Sequence, residues 1–367
     1  MGLLVALEGI DNVGKSSATR TLASRLRERG YLVTALSEFG TDAVGRAVRD
    51  FVDPRYRRAF ATLSDPRRIV LCNRYLHTAI IYQAQGTGVA IEGMRERLRA
   101  LCGETFRPAD LVLLFEASVE TALRRGGGNI RDRPFPEAAA RSFRELSLGG
   151  RTVIIDAEAS QEDVAAACLR AILDHARPVT RVSVPALALA QRRSHHAREV
   201  LFVPQAASTL YLQRKPTYPE GVYRIAGGGV EAEETPLEAL VREFEEEAGL
   251  SPGRANCRLL TTLVYNAEVD ENAFVSYLYE VRLGPGQEIP PTHAADGSFV
   301  SWRGFSPREL PAAAAKLRAA GGWRSGWGGF RAAAVDAFER WQDRTGFPGP
   351  LPRRGGIDRR AGSLRSR

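Results

Sequence analysis

Glu243, Glu246 and Glu247 stand at i, i+3 and i+4. On a helix that spacing brings three carboxylates onto one face. Like charges so close repel, which makes a divalent cation their natural partner. Hard oxygen ligands suit Mg²⁺ or Mn²⁺, ions that ordinarily bridge to substrate phosphates. The helix itself is legible: Pro236 sits near its start, Leu237, Leu240, Val241, Phe244 and Ala248 form an apolar stripe, and Gly249 suits its C-terminus. Gly227, Gly228 and Gly229 precede it as a turn through which backbone can approach a ligand or metal.

A second chemical set lies near the beginning of the chain. Gly9 is followed after four residues by Gly14, Lys15 and Ser16, between the apolar run LLVALEG and a helical stretch reaching about residue 29. A strand, a glycine loop and a helix are what a phosphate-cradling P-loop requires. Backbone N–H groups from Gly9 through Asp11, Gly14 and Ser17 face the phosphates. Lys15 reaches the β and γ phosphates of ATP, and the Ser16 hydroxyl faces Mg²⁺. The chain has only three lysines against 48 arginines, so Lys15 stands out as a lysine kept for a task.

The elements that must position these groups follow from hydrophobic patterning. Apolar runs at 3–9, 31–38, 67–75, 111–117 and 152–157 read as strands, and helical periods separate them, notably at 91–101 and 161–176. That alternation predicts an α/β fold with a doubly wound parallel sheet. After residue 177 the pattern changes. VLFVP, STLYLQRK and YPEGVYRIAGGG lead into the glutamate helix. RLLTTLVYNAEV and AFVSYLYEVRL follow as antiparallel strands across the polar VDEN turn, and SFVSWRGFSPREL gives a last strand and a helix start.

The first 176 residues resemble thymidylate kinases. LEGIDNVGKSS matches that family's P-loop, LCNRYLHTAIIYQ its phosphate-acceptor motif, RPADLVLLFEASVETALRR its fourth strand and following helix, and GNIRDRPFP its arginine-bearing lid. The resemblance implies that Arg74 holds the acceptor phosphate, Asp11 lies near the sugar or metal, and Tyr82 and Gln83 line the nucleoside pocket. It also implies that Arg131 and Arg133 spread over the transferring phosphoryl group. Glu38 matches the acid of the family's EPGGT loop. Departures fall on the acceptor side: Asn73 replaces an aspartate, Phe39 a proline and Thr87 an arginine, and the chain between Phe60 and Ile69 is shorter, without a helix and its acceptor-binding arginine.

Gly228, five residues, Glu234, seven residues, then Arg242, Glu243, Phe244, Glu246, Glu247, Gly249 and Leu250 reproduce the box of Nudix hydrolases. The resemblance implies an αβα sandwich around a mixed sheet, and a metal that activates water against a nucleoside diphosphate linked to a further group. Glu246 and Glu247 would be ligands, and Glu243 a third ligand or the general base. Arg242 would orient a carboxylate and Glu234 brace the loop. Asp270, Glu271 and Glu288 are candidates for a distal acid, each reading first as a turn or surface charge.

Residues 1–176 therefore read as the kinase-like domain, 177–187 as a linker, 188–341 as the Nudix domain and 342–367 as a disordered basic tail. The net charge of +8 sits mostly in that tail: 25 basic and 22 acidic residues fall before 177, 19 of each at 177–341, and 7 against 2 beyond. A solvated tail is the preferred reading over a nucleic-acid contact. Cys72, Cys102, Cys168 and Cys257 have no metal or redox spacing, His195 and His196 have no partner ligand nearby in sequence, and Trp323 and Trp327 read as core packing rather than a stacking surface. No apolar run approaches the length of a membrane span, and the expected location is the cytoplasm. The expected activity is Mg²⁺-dependent hydrolysis of a nucleoside diphosphate-linked substrate, joined to ATP-dependent phosphorylation of a (deoxy)nucleoside monophosphate. The alternative is a nucleotide-sensing or nucleic-acid-binding protein whose kinase-like domain only binds nucleotide.

Overall fold

The computed structural model describes residues 1–37, 54–103, 106–126, 134–193, 197–266, 273–284, 287–293, 299–320 and 326–345. The first half runs β1 (Leu3–Glu8), α1 (Lys15–Glu28), β2 (Leu32–Ser37), α2 (Pro54–Ala61), β3 (Arg68–Asn73), α3 (Leu76–Thr87), α4 (Ile91–Cys102), β4 (Leu111–Glu116), α5 (Val119–Arg124), α6 (Pro134–Glu145), β5 (Arg151–Asp156) and α7 (Gln161–Leu173). Its five strands are all parallel in the order β2-β3-β1-β4-β5. Central β1 is buried along its whole length, as the apolar run from Leu3 to Leu7 demands. Leu3, Val5 and Leu7 face α1 and α7, while Leu4 and Ala6 face α2, α3 and α4. The sheet thus carries helices on both faces, as an α/β doubly wound fold does.

The second half comprises β6 (Val179–Val182), α8 (Ala186–Arg193), β7 (Arg198–Ala206), β8 (Thr209–Arg214), β9 (Ala226–Gly229), α9 (Pro236–Ala248), β10 (Cys257–Tyr265), β11 (Val275–Arg282), β12 (Thr292–His293), β13 (Phe299–Phe305), α10 (Leu310–Ala319) and α11 (Trp327–Thr345). They form a mixed sheet in the order β12-β13-β8-β7-β11-β10-β6, with β9 paired to β7. Val200 and Phe202 of β7 pack toward α9. Leu201 and Val203 point the other way, into a core closed by α8, α10 and α11. Alternation along one strand therefore builds two cores and an αβα sandwich.

Two boundaries differ from the sequence reading. The stretch 177–187, expected to be a linker, contains β6, which pairs in parallel with β10 from Thr262↔Val179 to Tyr265↔Val182. Pro178 and Pro185 bracket only four strand residues, too few for a period to show, and the sheet edge tolerates them there. The expected tail begins later than Gln342: α11 continues to Thr345, and Gln342 is buried. Phe338 and Trp341, in ring contact at 6.1 Å, anchor the preceding turn, so the polar residues that follow need no apolar period of their own. Residues 346–367 lie outside the described residues. Between Phe60 and Ile69 the shortened connection is a single 3₁₀ turn, Thr62–Ser64.

The halves meet where α1 ends. Tyr31 Oη donates to the Arg177 carbonyl at 3.1 Å, Arg181 donates to the Glu28 carbonyl at 2.7 Å, and Val179 packs against the apolar clusters of both sheets. Among the described residues no helix is long and apolar enough to cross a membrane.

Candidate active sites

The glycine loop leaves β1 with Gly9 at φ 131°, where an added Cβ would lie 2.5 Å from the Phe115 carbonyl oxygen, so only glycine lets the loop pass β4 this closely. Gly14, at φ 94°, then opens α1 in a left-handed conformation. Lys15 is buried and folds back over the loop, its Nζ donating to the carbonyls of Gly9 (2.9 Å) and Ile10 (2.5 Å). Ser16 Oγ accepts a hydrogen bond from Asn73 Nδ2 at 2.9 Å, and the buried Asn73 Oδ1 finds no partner among the described residues. A pocket opens beside the loop, lined by Val13, Gly14, Ser17, Arg125, Ala157 and Gln161.

Arg74 adopts φ 69°, strained for a residue with a side chain. Its N–H donates to Leu7 O at 3.0 Å, which fixes it at the end of β1. Its guanidinium pairs with Asp11 and lies 5.3 Å from the Tyr82 ring centre. Tyr82 Oη in turn reaches Asp11 at 3.5 Å. The structure thus gathers Asp11, Arg74 and Tyr82 at one spot, with Gln83 buried on the same helix. Glu38, Arg131 and Arg133 lie outside the described residues.

Glu8 had escaped the sequence reading. It is wholly buried, and its carboxylate accepts from the backbone N–H of Tyr75 (2.9 Å), His77 (3.1 Å) and Thr78 (3.4 Å) and from the Thr78 hydroxyl (2.5 Å). A carboxylate at a helix N-terminus satisfies donors the helix cannot pair, and this one ties α3 and the Arg74 loop to β1. Its signal was a lone charge in an otherwise apolar strand.

The second site is built on α9. Thr235 caps it through a reciprocal capping box with Glu238, Pro236 begins it, and Gly249 ends it at φ 65°. Arg242 grips Glu234 through two bonds, Nε to Oε1 at 2.8 Å and Nη2 to Oε2 at 2.9 Å. It also donates to the Gly229 carbonyl (2.9 Å), Glu243 (2.9 Å) and Glu246 (3.4 Å). The helix is thereby clamped to the glycine turn. Gly228 carries the closest approach: a Cβ there would fall 2.0 Å from Glu243 Oε2.

Burial raises the proton affinity of Glu243 above the ordinary carboxylate value, Arg242 opposes that, and the charges of Glu246 and Glu247 add to it. Glu234 moves the other way, held low chiefly by its bond to Arg242. Glu247 is also buried and is bound by Gln213 Nε2 of β8 at 2.5 Å and by Lys215 Nζ, one residue past that strand, at 3.3 Å. Gln213 and Lys215 reach Glu247 only because β8 neighbours β7, the strand on which α9 packs, and no spacing in the sequence announces them. Among the described residues, no three His, Cys, Asp or Glu side chains are drawn together as a ready metal cage. The donor set nonetheless fits a hard divalent cation: all oxygen, and with a buried carboxylate whose proton affinity is raised in part by its like-charged neighbours. Glu288 is exposed; Asp270, Glu271, His195 and His196 lie outside the described residues.

Comparison with known proteins meets both halves. The NUDIX domain family matches residues 192–322. The N-terminal region is similar to thymidylate kinases. That of Methylococcus capsulatus is 35% identical over 143 residues, 34% of this chain and 68% of the relative. That of Ectopseudomonas mendocina is 30% identical over 165 residues, 39% and 77% of the two chains. That of Rhodopirellula baltica is 29% identical over 191 residues, 45% and 77%.

Proposed function

We propose that this chain, which belongs to the thymidylate kinase family in its N-terminal region and carries a NUDIX domain after it, is a bifunctional enzyme of nucleotide metabolism, its second domain hydrolysing a nucleoside diphosphate-linked substrate and its first phosphorylating a (deoxy)nucleoside monophosphate from ATP. The observation that carries the hydrolase reading is the Arg242 clamp, which seats Glu243 against Gly228 and holds Glu246 alongside. Glu243, Glu246 and Glu247 would hold Mg²⁺ or Mn²⁺, and in the kinase half Ser16 would do so. Such an ion neutralises phosphate charge and lowers the pKa of bound water. Glu243, buried and raised in proton affinity, suits either a ligand or a general base. Arg242 keeps the carboxylates in register with the glycine turn.

In the kinase half, Gly9, Gly14, Lys15, Ser16 and Ser17 would hold ATP phosphates, with Lys15 exchanging the loop carbonyls for phosphate oxygens. Arg74, beside Asp11 and Tyr82, would take the acceptor phosphate. Arg131 and Arg133 would neutralise the transferring group, as the resemblance implies. One observation favours a binding-only reading of this half: the Asn73 amide, where the family has an acid, already occupies the Ser16 hydroxyl.

Turnover tests both. Incubation with Mg²⁺ and a panel of nucleoside triphosphates, diphosphate sugars and dinucleotides should release phosphate species. Glu246→Gln or Glu247→Gln should slow the release by about 10²-fold or more. Hydrolysis indifferent to both substitutions overturns the hydrolase assignment. ADP formed from ATP only when a nucleoside monophosphate is present, and lost in Lys15→Ala, supports the kinase. A protein that binds ATP but makes no acceptor-dependent ADP is a nucleotide-binding module in that half.

A further inference from the structure

Two cations of different kind neutralise the carboxylates of α9. Arg242 is fixed: its planar fork makes two bonds to Glu234 and one to the Gly229 carbonyl before it touches Glu243 and Glu246. Lys215 is a point charge on a flexible stem, one of three lysines in a chain with 51 basic residues. It meets Glu247 Oε1 at 3.3 Å, with Gln213 Nε2 on the other oxygen at 2.5 Å. Its side chain is 16% exposed against 9% for Glu247, so the pair is largely shielded from water. A divalent cation on Glu247 would stand within a few ångströms of that ammonium. Two such charges repel strongly where water is scarce, so both cannot keep the same carboxylate. Arg242 cannot yield without releasing Glu234, whereas Lys215 carries a single point charge on a four-carbon stem.

Building on the hydrolase reading above, we propose that Lys215 is an exchangeable counter-cation: it holds Glu247 until a divalent ion takes that carboxylate, and its ammonium then binds a phosphate oxygen of the substrate beside the ion. The lysine thus keeps the metal site soluble and ordered when empty of metal, and becomes a phosphate ligand when the metal arrives. Metal loading and phosphate binding are thereby coupled, and by linkage each strengthens the other.

The test reads binding, not turnover, on the full chain carrying Lys15→Ala to silence the P-loop. Mn²⁺ is titrated by electron paramagnetic resonance, and inorganic pyrophosphate is then titrated calorimetrically into Mn²⁺-saturated protein. Lys215→Met should bind Mn²⁺ at least about tenfold more tightly and pyrophosphate at least about tenfold more weakly, a change of about 1.4 kcal/mol in each. Lys215→Arg, which keeps the charge, should leave Mn²⁺ affinity within a few-fold of the parent and guards against a folding artefact. Unchanged or weaker Mn²⁺ binding in Lys215→Met, or unchanged pyrophosphate binding, overturns the exchange. If Glu247→Gln and Glu246→Gln also leave the Mn²⁺ titration unchanged, the hydrolase reading falls with it. If those two abolish Mn²⁺ binding while Lys215→Met does nothing, only the exchange is lost.

Discussion

Gly228 and Glu243 are separated by fifteen positions in the chain and share one small volume, because a Cβ on Gly228 would lie 2.0 Å from the carboxylate. Gly228→Ala must therefore push Glu243 off its bond to Arg242. The backbone there is extended rather than left-handed, so the residue change itself strains little. The expected result is a loss of about 10²-fold in hydrolysis, the usual consequence of displacing a catalytic group by an ångström, with a far smaller drop in melting temperature. Steady-state kinetics and a thermal melt on one preparation check it; equal losses in both would mean that the domain, not the carboxylate, had failed. The glutamates and Arg242 were legible in the sequence because a helix converts spacing directly into a shared face. Asp11, Arg74 and Tyr82 were legible through the resemblance. Glu8, Gln213 and Lys215 were not, since each reaches its partner across strand pairing or helix docking that no local spacing encodes.

At the scale of elements, β7 carries a wholly buried carboxylate that fastens three other pieces to it. Glu199 accepts from Arg192 of α8 (2.7 Å) and Ser276 of β11 (2.6 Å), and Arg331 of α11 stands 3.5 Å away. Burial alone would raise its proton affinity, but the guanidinium charges and these hydrogen bonds overcome burial and hold it below the ordinary carboxylate value of 4.5. A carboxyl depressed on folding stabilises the protein above its unfolded value and loses that contribution as pH falls through its folded one. The stability of the protein should therefore fall as the medium is acidified below about pH 4.5. In Glu199→Gln the profile should be flatter over that window, and at neutral pH the protein should lose roughly 3–5 kcal/mol because the buried Arg331 and the half-buried Arg192 are left without their counter-charge. Urea melts of both proteins across pH 3–7 decide it; parallel profiles would remove Glu199 from the account. Strands such as β1 and β4 were legible as apolar runs of five residues closed by a glutamate, whereas β6 and the end of α11 depend on neighbours for their order and so left no period to read.

At the scale of the molecule, the two halves are joined by more than the covalent chain. Gly30 turns α1 into β2 at φ 95°, and a Cβ there would lie 2.8 Å from Val179 Cγ1 on β6. Val179 belongs to the second sheet by pairing and to both apolar clusters by packing. The short strand read from sequence as a linker is thus the piece that presses one domain on the other, and Tyr31 and Arg181 add hydrogen bonds on either side of it. Packed in this way, the halves should unfold together. Gly30→Val acts on the contact twice: a branched side chain resists a left-handed backbone, and its first carbon collides with Val179. The backbone strain alone costs roughly 1–2 kcal/mol. Calorimetry of the full chain should show one transition for the wild type and two for Gly30→Val, with the kinase-like half melting first because Gly30 belongs to it. Each activity should survive below its own transition, since Gly30 touches neither Lys15 nor α9. A single unshifted transition in the variant would mean that the contact between Gly30 and Val179 does not couple the domains, and that the fusion works through proximity alone.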